Sequence, residues 1–381
     1  MTLNSKISIM FFVGKRTIFL ALFIAIFSCF IACKKDASPE QKTEDFTSSE
    51  NIVETEVPLQ KTVVILATGG TIAGSGEQGK ATNYKPGVLS VESLVAAVPG
   101  LDKIANIQTI QVCNVNSDDI TAELWIELAD KINTLAKDKN VAGFVITHGT
   151  DTMEETAYFL NLTVKTEKPV VLTGSMRPAT SLSADGPMNL YQAVCVASDE
   201  KNAGKGVLVV FSDMIYSARS VQKNNTFSMM AISSRGTGSI GVVRNNSAEF
   251  YELPVKKHTV HTEFSLDKVS SLPKVSILYF AVDSDPALLQ YAAKNSGGLV
   301  IAGAGAGEFS EKFIKVINSL TIPVVISSRV NGGIITQDAV LCKNTVAAND
   351  LSPQKAAVLL RLALKNNKTA QNDLIRMFSE Y

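Results

Sequence analysis

Two short stretches carry hydroxyl groups in turns kept tight by glycine. ATGGTIAG spans Ala67 to Gly74, and THGTDT spans Thr147 to Thr152. Each follows a β-branched apolar run, so each places a threonine, Thr71 or Thr150, just past the end of a strand. Glycine beside a reacting hydroxyl lets backbone amides approach a ligand closely and act as an oxyanion hole. Asp151 follows Thr150 directly and opens a helical pattern, where its carboxylate can bind an ammonium group. A threonine hydroxyl is a poor nucleophile at neutral pH and needs a proton acceptor. Histidine is scarce, with only His148, His258 and His261, and neither a G-x-S-x-G motif nor a serine–histidine pairing can be assembled. Lysine is the other candidate, because a desolvated ammonium gives up its proton more readily. Composition leaves open which lysine. His148, lying in a turn, reads as a hydrogen-bonded scaffold.

The elements that must hold these turns are announced by seven β-branched runs: Thr62 to Leu66, Gly143 to Thr147, Pro169 to Thr173, Gly206 to Phe211, Val275 to Phe280, Gly298 to Ala302 and Pro323 to Ser327. Several are apolar throughout, as suits parallel strands covered on both faces. Helical patterns alternate with them at Ala122 to Ala136, Glu154 to Leu162, Met188 to Ala197, Pro286 to Ala293 and Glu308 to Ser319. The alternation predicts an α/β fold with a doubly wound, mostly parallel sheet. A composition break after Ser247 predicts a larger N-terminal domain over 61–250, a connector over 251–272 and a smaller C-terminal α/β domain over 273–381. Ligands of such folds bind outside the carboxyl ends of the strands, where Thr71 and Thr150 lie.

The chain has 381 residues, with 36 Lys and Arg against 36 Asp and Glu. No net field draws it to nucleic acid or anionic lipid, so a small-molecule ligand is expected and nucleic-acid binding is not. Lys6, Lys15 and Arg16 precede an apolar run from Ile18 to Ala32, which reads as an export signal over 1–33. The Phe30-Ile31-Ala32-Cys33 end resembles a lipobox, which would make Cys33 the lipidated residue and a lipid anchor the only membrane attachment; the alternative is a plain secretory signal with a nearby cysteine. Residues 34–60 are polar and acidic and read as a disordered tether. The expected location is therefore periplasmic or anchored to the outer membrane. Beyond Cys33, Cys113, Cys195 and Cys342 form no metal spacing and no disulfide framework. GSGEQGKA (Gly74 to Ala81) narrowly misses a phosphate-binding loop, because Ala81 lacks the hydroxyl that would hold Mg²⁺. AGAGAGE (Ala302 to Glu308) is a lone glycine run that reads as close backbone packing. No cofactor and no metal are expected.

ATGGTIAG, NYKPG (Asn83 to Gly87), FVITHGTDTMEETAYFL (Phe144 to Leu160) and MRPATSLSADGPMNL (Met176 to Leu190) resemble bacterial type II L-asparaginases. The similarity runs on through GVLVVFSD, VQKNNT, LPKV, SSRV and LSPQKAAVLLRLAL, nearly to the C-terminus. The resemblance implies an amidohydrolase that releases ammonia from asparagine, or from glutamine, one methylene longer. It places the nucleophile at Thr71, a lid tyrosine at Tyr84, and a second threonine with its aspartate at Thr150 and Asp151. The lysine falls on Lys223 in VQKNNT, and Ser117 with Asp118 in NVNSDDI falls where the substrate carboxylate is gripped. Which threonine attacks first stays open on the residues alone. Thr71 is favoured because its glycine-rich turn runs into the polar segment Gly74 to Lys85, which suits a lid.

The family assembles as tetramers with active sites at subunit contacts, so a homo-oligomer is expected. Two departures stand out. Val340 follows TQDA where the family carries a glutamate, and Asp283 is a candidate to compensate across the same contact. The disulfide of some members has no counterpart, since Ala136 and Glu167 occupy the matching places. A ligand-binding lipoprotein would share the signal, tether and fold, but gives no reason for Thr71, Tyr84, Thr150, Asp151 and Lys223 together.

Overall fold

The computed structural model of the chain describes residues 60–381; the export segment, Cys33 and residues 34–59 lie outside them. The chain opens with β1 (Thr62–Gly69), a small hairpin of β2 (Ser75–Gly76) and β3 (Tyr84–Lys85), helix α1 (Val91–Ala96) and β4 (Asn106–Val115). Next come α2 (Ala122–Leu135), β5 (Val141–Thr147), α3 (Met153–Thr163), β6 (Val170–Thr173), α4 (Gly186–Ser198) and β7 (Val207–Phe211). Five short strands follow: β8 (Met214–Ser217), β9 (Val221–Lys223), β10 (Ile232–Ser234), β11 (Gly241–Arg244) and β12 (Ser247–Phe250). The large sheet has the order β12-β11-β8-β7-β6-β5-β1-β4, while β9 and β10 pair separately. Its neighbours from β4 to β7 are parallel, and those from β7 to β12 antiparallel.

Side-chain alternation along β1 explains why this sheet needs helices on both faces. Val64 and Leu66 enter one apolar core with Trp125 and Ile132 of α2 and Phe159 of α3. Val63, Ile65 and Ala67 enter another with Leu94 of α1 and Leu190 and Val194 of α4. Strand neighbours repeat the pattern, as Val209 and Leu208 of β7 show, so the central strands are apolar on both sides. Helix α2 begins where the Thr121 hydroxyl accepts the Leu124 N–H, and it buries Trp125, Leu128, Ala129 and Ile132 at helical spacing.

The C-terminal region contributes β13 (Val275–Tyr279), α5 (Ala287–Lys294), β14 (Gly298–Gly303), α6 (Glu311–Ile317), β15 (Val324–Ser328) and β16 (Thr345–Ala347). Its four strands form one parallel sheet in chain order. Helices α7 (Pro353–Lys365) and α8 (Gln371–Glu380) end the chain. Leu359 of α7 and Phe378 of α8 share a core with Trp125 and Phe159. The segment expected as a connector joins them: Phe264 and Leu266 are buried, beside a 3-10 turn at Thr259–His261.

All seven expected strands and all five expected helices form, with ends shifted by a few residues. Strand β4 was not expected from its sequence. Its burial alternates between exposed and half-buried positions, because as the terminal strand of the large sheet it offers no continuous apolar run.

The parallel strands bring their carboxyl ends to one edge, where the chain turns on glycine. A side-chain carbon at Gly69 would lie 2.5 Å from the Val115 carbonyl oxygen, and one at Gly70 2.4 Å from the Gly149 Cα. Both glycines have positive φ, 104° and 78°. Gly70→Ala is therefore expected to cost about 2–4 kcal/mol of folding stability through strain and backbone overlap. Urea denaturation checks this, and a loss below about 0.5 kcal/mol, as for an ordinary surface change, would refute the contact.

Candidate active site

Each candidate threonine follows one of two glycines that pack backbone against backbone. Gly70 precedes Thr71 past the end of β1, and Gly149 precedes Thr150 past the end of the adjacent β5. Thr71 opens a 3-10 turn, Thr71–Ala73, and is 8% exposed. Its Oγ1 lies 2.8 Å from the hydroxyl of Tyr84, which the β2–β3 hairpin carries over it. A side-chain carbon at Gly74 would meet the Tyr84 ring at 2.8 Å, so the hairpin's return is fitted against the turn.

Thr150 is buried and has a different partner. Lys223 Nζ donates to Thr150 Oγ1 at 2.9 Å and to Asp151 Oδ1 at 2.5 Å. The Lys223 side chain is 15% exposed and that of Asp151 61%, so solvent screens the aspartate more than the lysine. Thr150 Oγ1 also donates to the Met176 sulfur at 3.5 Å.

Ser117 stands against this turn, its Oγ 2.9 Å from where a side-chain carbon of Gly149 would sit. Thr152 Oγ1 ties it in place by donating to the Ser117 carbonyl at 2.7 Å. The Ser117 hydroxyl is buried with no hydrogen-bond partner among the described residues. A buried orphan hydroxyl costs about 1–3 kcal/mol unless a ligand or water satisfies it. Asp118 is exposed and accepts from Asn116 Nδ2 at 2.8 Å. Asp283, in the turn after β13, is exposed with φ 63° and bonds to none of the other candidates among the described residues. Val340 is half-buried against the C-terminal core. Thus Thr71 with Tyr84, and Thr150 with Asp151 and Lys223, are brought together; Ser117 borders them, and Asp283 stands apart.

Several residues that position the site were not singled out from the sequence. Glu154, buried in the first turn of α3, accepts the Lys223 backbone N–H at 3.0 Å. Lys355 of α7 is fully buried and donates to the carbonyl of Arg219 at 2.9 Å and to that of Val221. It therefore grips both ends of the approach into β9, the strand that carries Lys223. An ammonium in the first turn of a helix sits at the positive end of the helix dipole. Burial above all, partly offset by the Glu154 carboxylate, pulls Lys355 down to about 8. Burial, then the charge of Glu154, pushes Glu155 up to about 7. One sequence signal existed: Lys355 directly precedes the apolar run over 356–360, just after a Ser352-Pro353 helix start.

His148 is a scaffold. Its Nδ1 donates to the Gly149 carbonyl at 2.7 Å, since a carbonyl can only accept. Nε2 must then be the acceptor, taking the Thr156 hydroxyl proton at 2.9 Å, while Thr156 accepts the Trp125 indole N–H at 2.7 Å. Burial lowers its pKa to about 4.

Comparison with known proteins identifies the family. The family description "Asparaginase, N-terminal" matches residues 62–256, and "Glutaminase/Asparaginase C-terminal domain" matches residues 274–378. The chain belongs to the asparaginase family. A relative from Haemophilus influenzae, named a probable periplasmic L-asparaginase, is 47% identical over 314 residues, covering 80% of this chain and 89% of the relative. A glutaminase-asparaginase of Pseudomonas fluorescens is 42% identical over 338 residues, 86% of this chain and 92% of its own. The crystal structure of a probable cytoplasmic L-asparaginase from Campylobacter jejuni superposes with a TM-score of 0.81 at 40% identity, covering 84% of this chain and all of that one. In this asparaginase-family chain the glycine-backed threonines occupy adjacent strand ends of the N-terminal match.

The His148 network carries a pH signature. The unfolded imidazole binds a proton below its ordinary value near 6.5, while the folded one stays neutral to about 4. Stability from this group is therefore full above about 6.5 and lost as pH falls toward about 4, by roughly 3 kcal/mol. Urea midpoints of wild type and His148→Gln are expected to converge as pH drops through that window. Parallel curves would show that His148 does not stay neutral.

Proposed function

We propose that this chain hydrolyses the side-chain amide of L-asparagine to L-aspartate and ammonia through a threonine ester. What carries the reading is that two threonine hydroxyls on adjacent strand ends each contact a group able to handle their proton. In the attacking arrangement Thr71 Oγ1 bonds to the amide carbon while its proton passes to the Tyr84 hydroxyl, which relays its own proton to the amide nitrogen. The tetrahedral oxyanion collapses, the C–N bond breaks, and the nitrogen leaves as ammonia with the proton it has received. Water then cleaves the Thr71 ester and releases the carboxylate. Thr150, Lys223 and Asp151 handle the proton of the attacking water and supply the local charge, with Lys223 as the proton store. The orphan hydroxyl of Ser117 is suited to the substrate α-carboxylate, with Asp118 at the rim, and the exposed oxygens of Asp151 to the α-ammonium. Glutamine is the competing substrate, because one methylene is worth only about 1–3 kcal/mol in a pocket.

Ammonia release from asparagine and glutamine by the purified full chain tests this directly. Thr71→Ala, Thr150→Ala and Lys223→Met should each lower kcat by about 10²–10⁴-fold. Wild-type turnover in both threonine variants would rule the mechanism out, and no ammonia from either amide would rule out the activity.

The same reading places the chain outside the cytoplasm, exported by residues 1–33 and anchored through a lipid on Cys33, with 34–60 as a tether. What supports this is the basic Lys6, Lys15 and Arg16 ahead of the apolar run that ends at Cys33. We also infer a homotetramer, in which Asp283 reaches a neighbouring site and offsets Val340. The support is the large apolar side chains left exposed on one copy, among them Phe227, Met230, Tyr279, Val282, Leu288 and Tyr291. Sedimentation velocity should give four times the monomer mass, and a monomer at micromolar concentration would overturn the assembly.

A further inference from the structure

The segment from Gly74 to Lys85, which brings Tyr84 over Thr71, reads GSGEQGKATNYK. Apart from Tyr84 its only apolar side chain is Ala81, so burial of apolar surface contributes little to holding it down. The Glu77–Lys80 ion pair lies within the segment and in solvent, at 2.6 Å with both side chains more than half exposed, and closes nothing. Its two ends bond to the Thr71 turn, Gly74 N to the Thr71 carbonyl and the Tyr84 hydroxyl to Thr71 Oγ1, each at 2.8 Å. Beyond these, what remains is hydrogen bonding to one loop, between β6 and α4. Gly76 N donates to Thr180 Oγ1 at 3.1 Å, Gly79 N to the Thr180 carbonyl at 2.8 Å, and Ala179 N to the Gly74 carbonyl at 3.1 Å. Gly79 and Ser181 also form a parallel bridge.

That loop is itself firmly held. The buried Asp185 carboxylate accepts from Met176 N and Arg177 N, each at 2.9 Å, and from Asn189 Nδ2 at 3.2 Å. Arg177 Nη1 adds a bond to the Ser183 carbonyl at 3.0 Å. The loop that receives the hairpin also supplies the Met176 sulfur to Thr150. One rigid loop thus touches the second threonine at one end and the carrier of the first threonine's tyrosine at the other.

We propose that Thr180 is a positioning residue, the latch that holds the Gly74–Lys85 hairpin closed and so keeps the Tyr84 hydroxyl against Thr71. This rests on the role given above to Tyr84. The hydroxyl is the one component of the latch that a substitution can remove while leaving the backbone bonds in place. Thr180→Val keeps the side-chain shape and deletes the acceptor for Gly76 N–H; Thr180→Ser keeps the acceptor.

Hydrogen exchange of the peptide covering 74–85, together with kcat and KM for ammonia release from asparagine, tests the latch on the full chain. Thr180→Val should exchange this segment about tenfold faster, with the β1 and β5 peptides unchanged, and should lower kcat/KM about tenfold. Thr180→Ser should restore both. The latch is overturned if Thr180→Val leaves protection unchanged, if protection falls while kcat/KM stays at the wild-type value, or if Thr180→Ser fails to restore them. Tyr84→Phe run alongside separates the two readings. A crippled Tyr84→Phe with an unaffected Thr180→Val removes the latch alone, whereas full turnover in Tyr84→Phe removes the role of Tyr84 and the latch's catalytic meaning with it.

Discussion

The backbone contact between Gly70 and Gly149 is the constraint on which the site depends. Parallel pairing of β1 with β5 sets the two strands in register through Leu66↔Ile146 and Ala67↔Thr147. Beyond that point the chains diverge into turns whose glycines touch, with no room for a Cβ on Gly70. Two hydroxyls, each one residue further on, are thereby delivered to the same edge of the sheet by rigid elements. Interiors packed at crystal-like density transmit such a placement faithfully, so the strand register determines where both hydroxyls sit.

The two hydroxyls are served in opposite ways. Thr150 meets a lysine whose strand is gripped by buried charge: Glu154 on the Lys223 amide, and Lys355 on the carbonyls of Arg219 and Val221. Those groups come from α3 and α7, so the C-terminal region helps hold Lys223, the proposed proton store, at the N-terminal sheet. Burying an ammonium is costly unless its hydrogen bonds are met, and its presence here marks a backbone that must not shift. Thr71 instead meets a tyrosine on a hairpin with almost no apolar surface. The first arrangement is held in place in advance, as the proposed electrostatic role requires; the second rests on hydrogen bonds, as suits the proposed lid. His148 lies between these roles, holding the Gly149 turn from beneath as a neutral ring.

Much of this was legible in the residues. Apolar runs and their spacing announced seven of the parallel strands and five helices, because doubly covered strands leave a continuous signature, but not β16, α7 or α8. The glycine-flanked threonines could be read because a tight turn at a strand end demands glycine whatever the rest of the chain does. Strand β4 escaped, since the last strand of a sheet has one exposed face and a mixed sequence. Lys355 escaped as well, since a lysine in an apolar helix looks like a solvated residue until the fold removes the solvent.

By itself, then, the sequence determined local things: which segments are strands or helices, where the chain must turn, and which side chains have reactive groups. Those follow from backbone sterics and from periodicity, which act over a few residues. Local pattern could not say which lysine meets Thr150 from 73 positions away or which hydroxyl meets Tyr84; the resemblance pointed to Lys223 and Tyr84, and the tertiary structure brings them into contact and decides which loop receives the hairpin. Such pairings depend on strand order and on the packing of distant helices, and no local propensity encodes them.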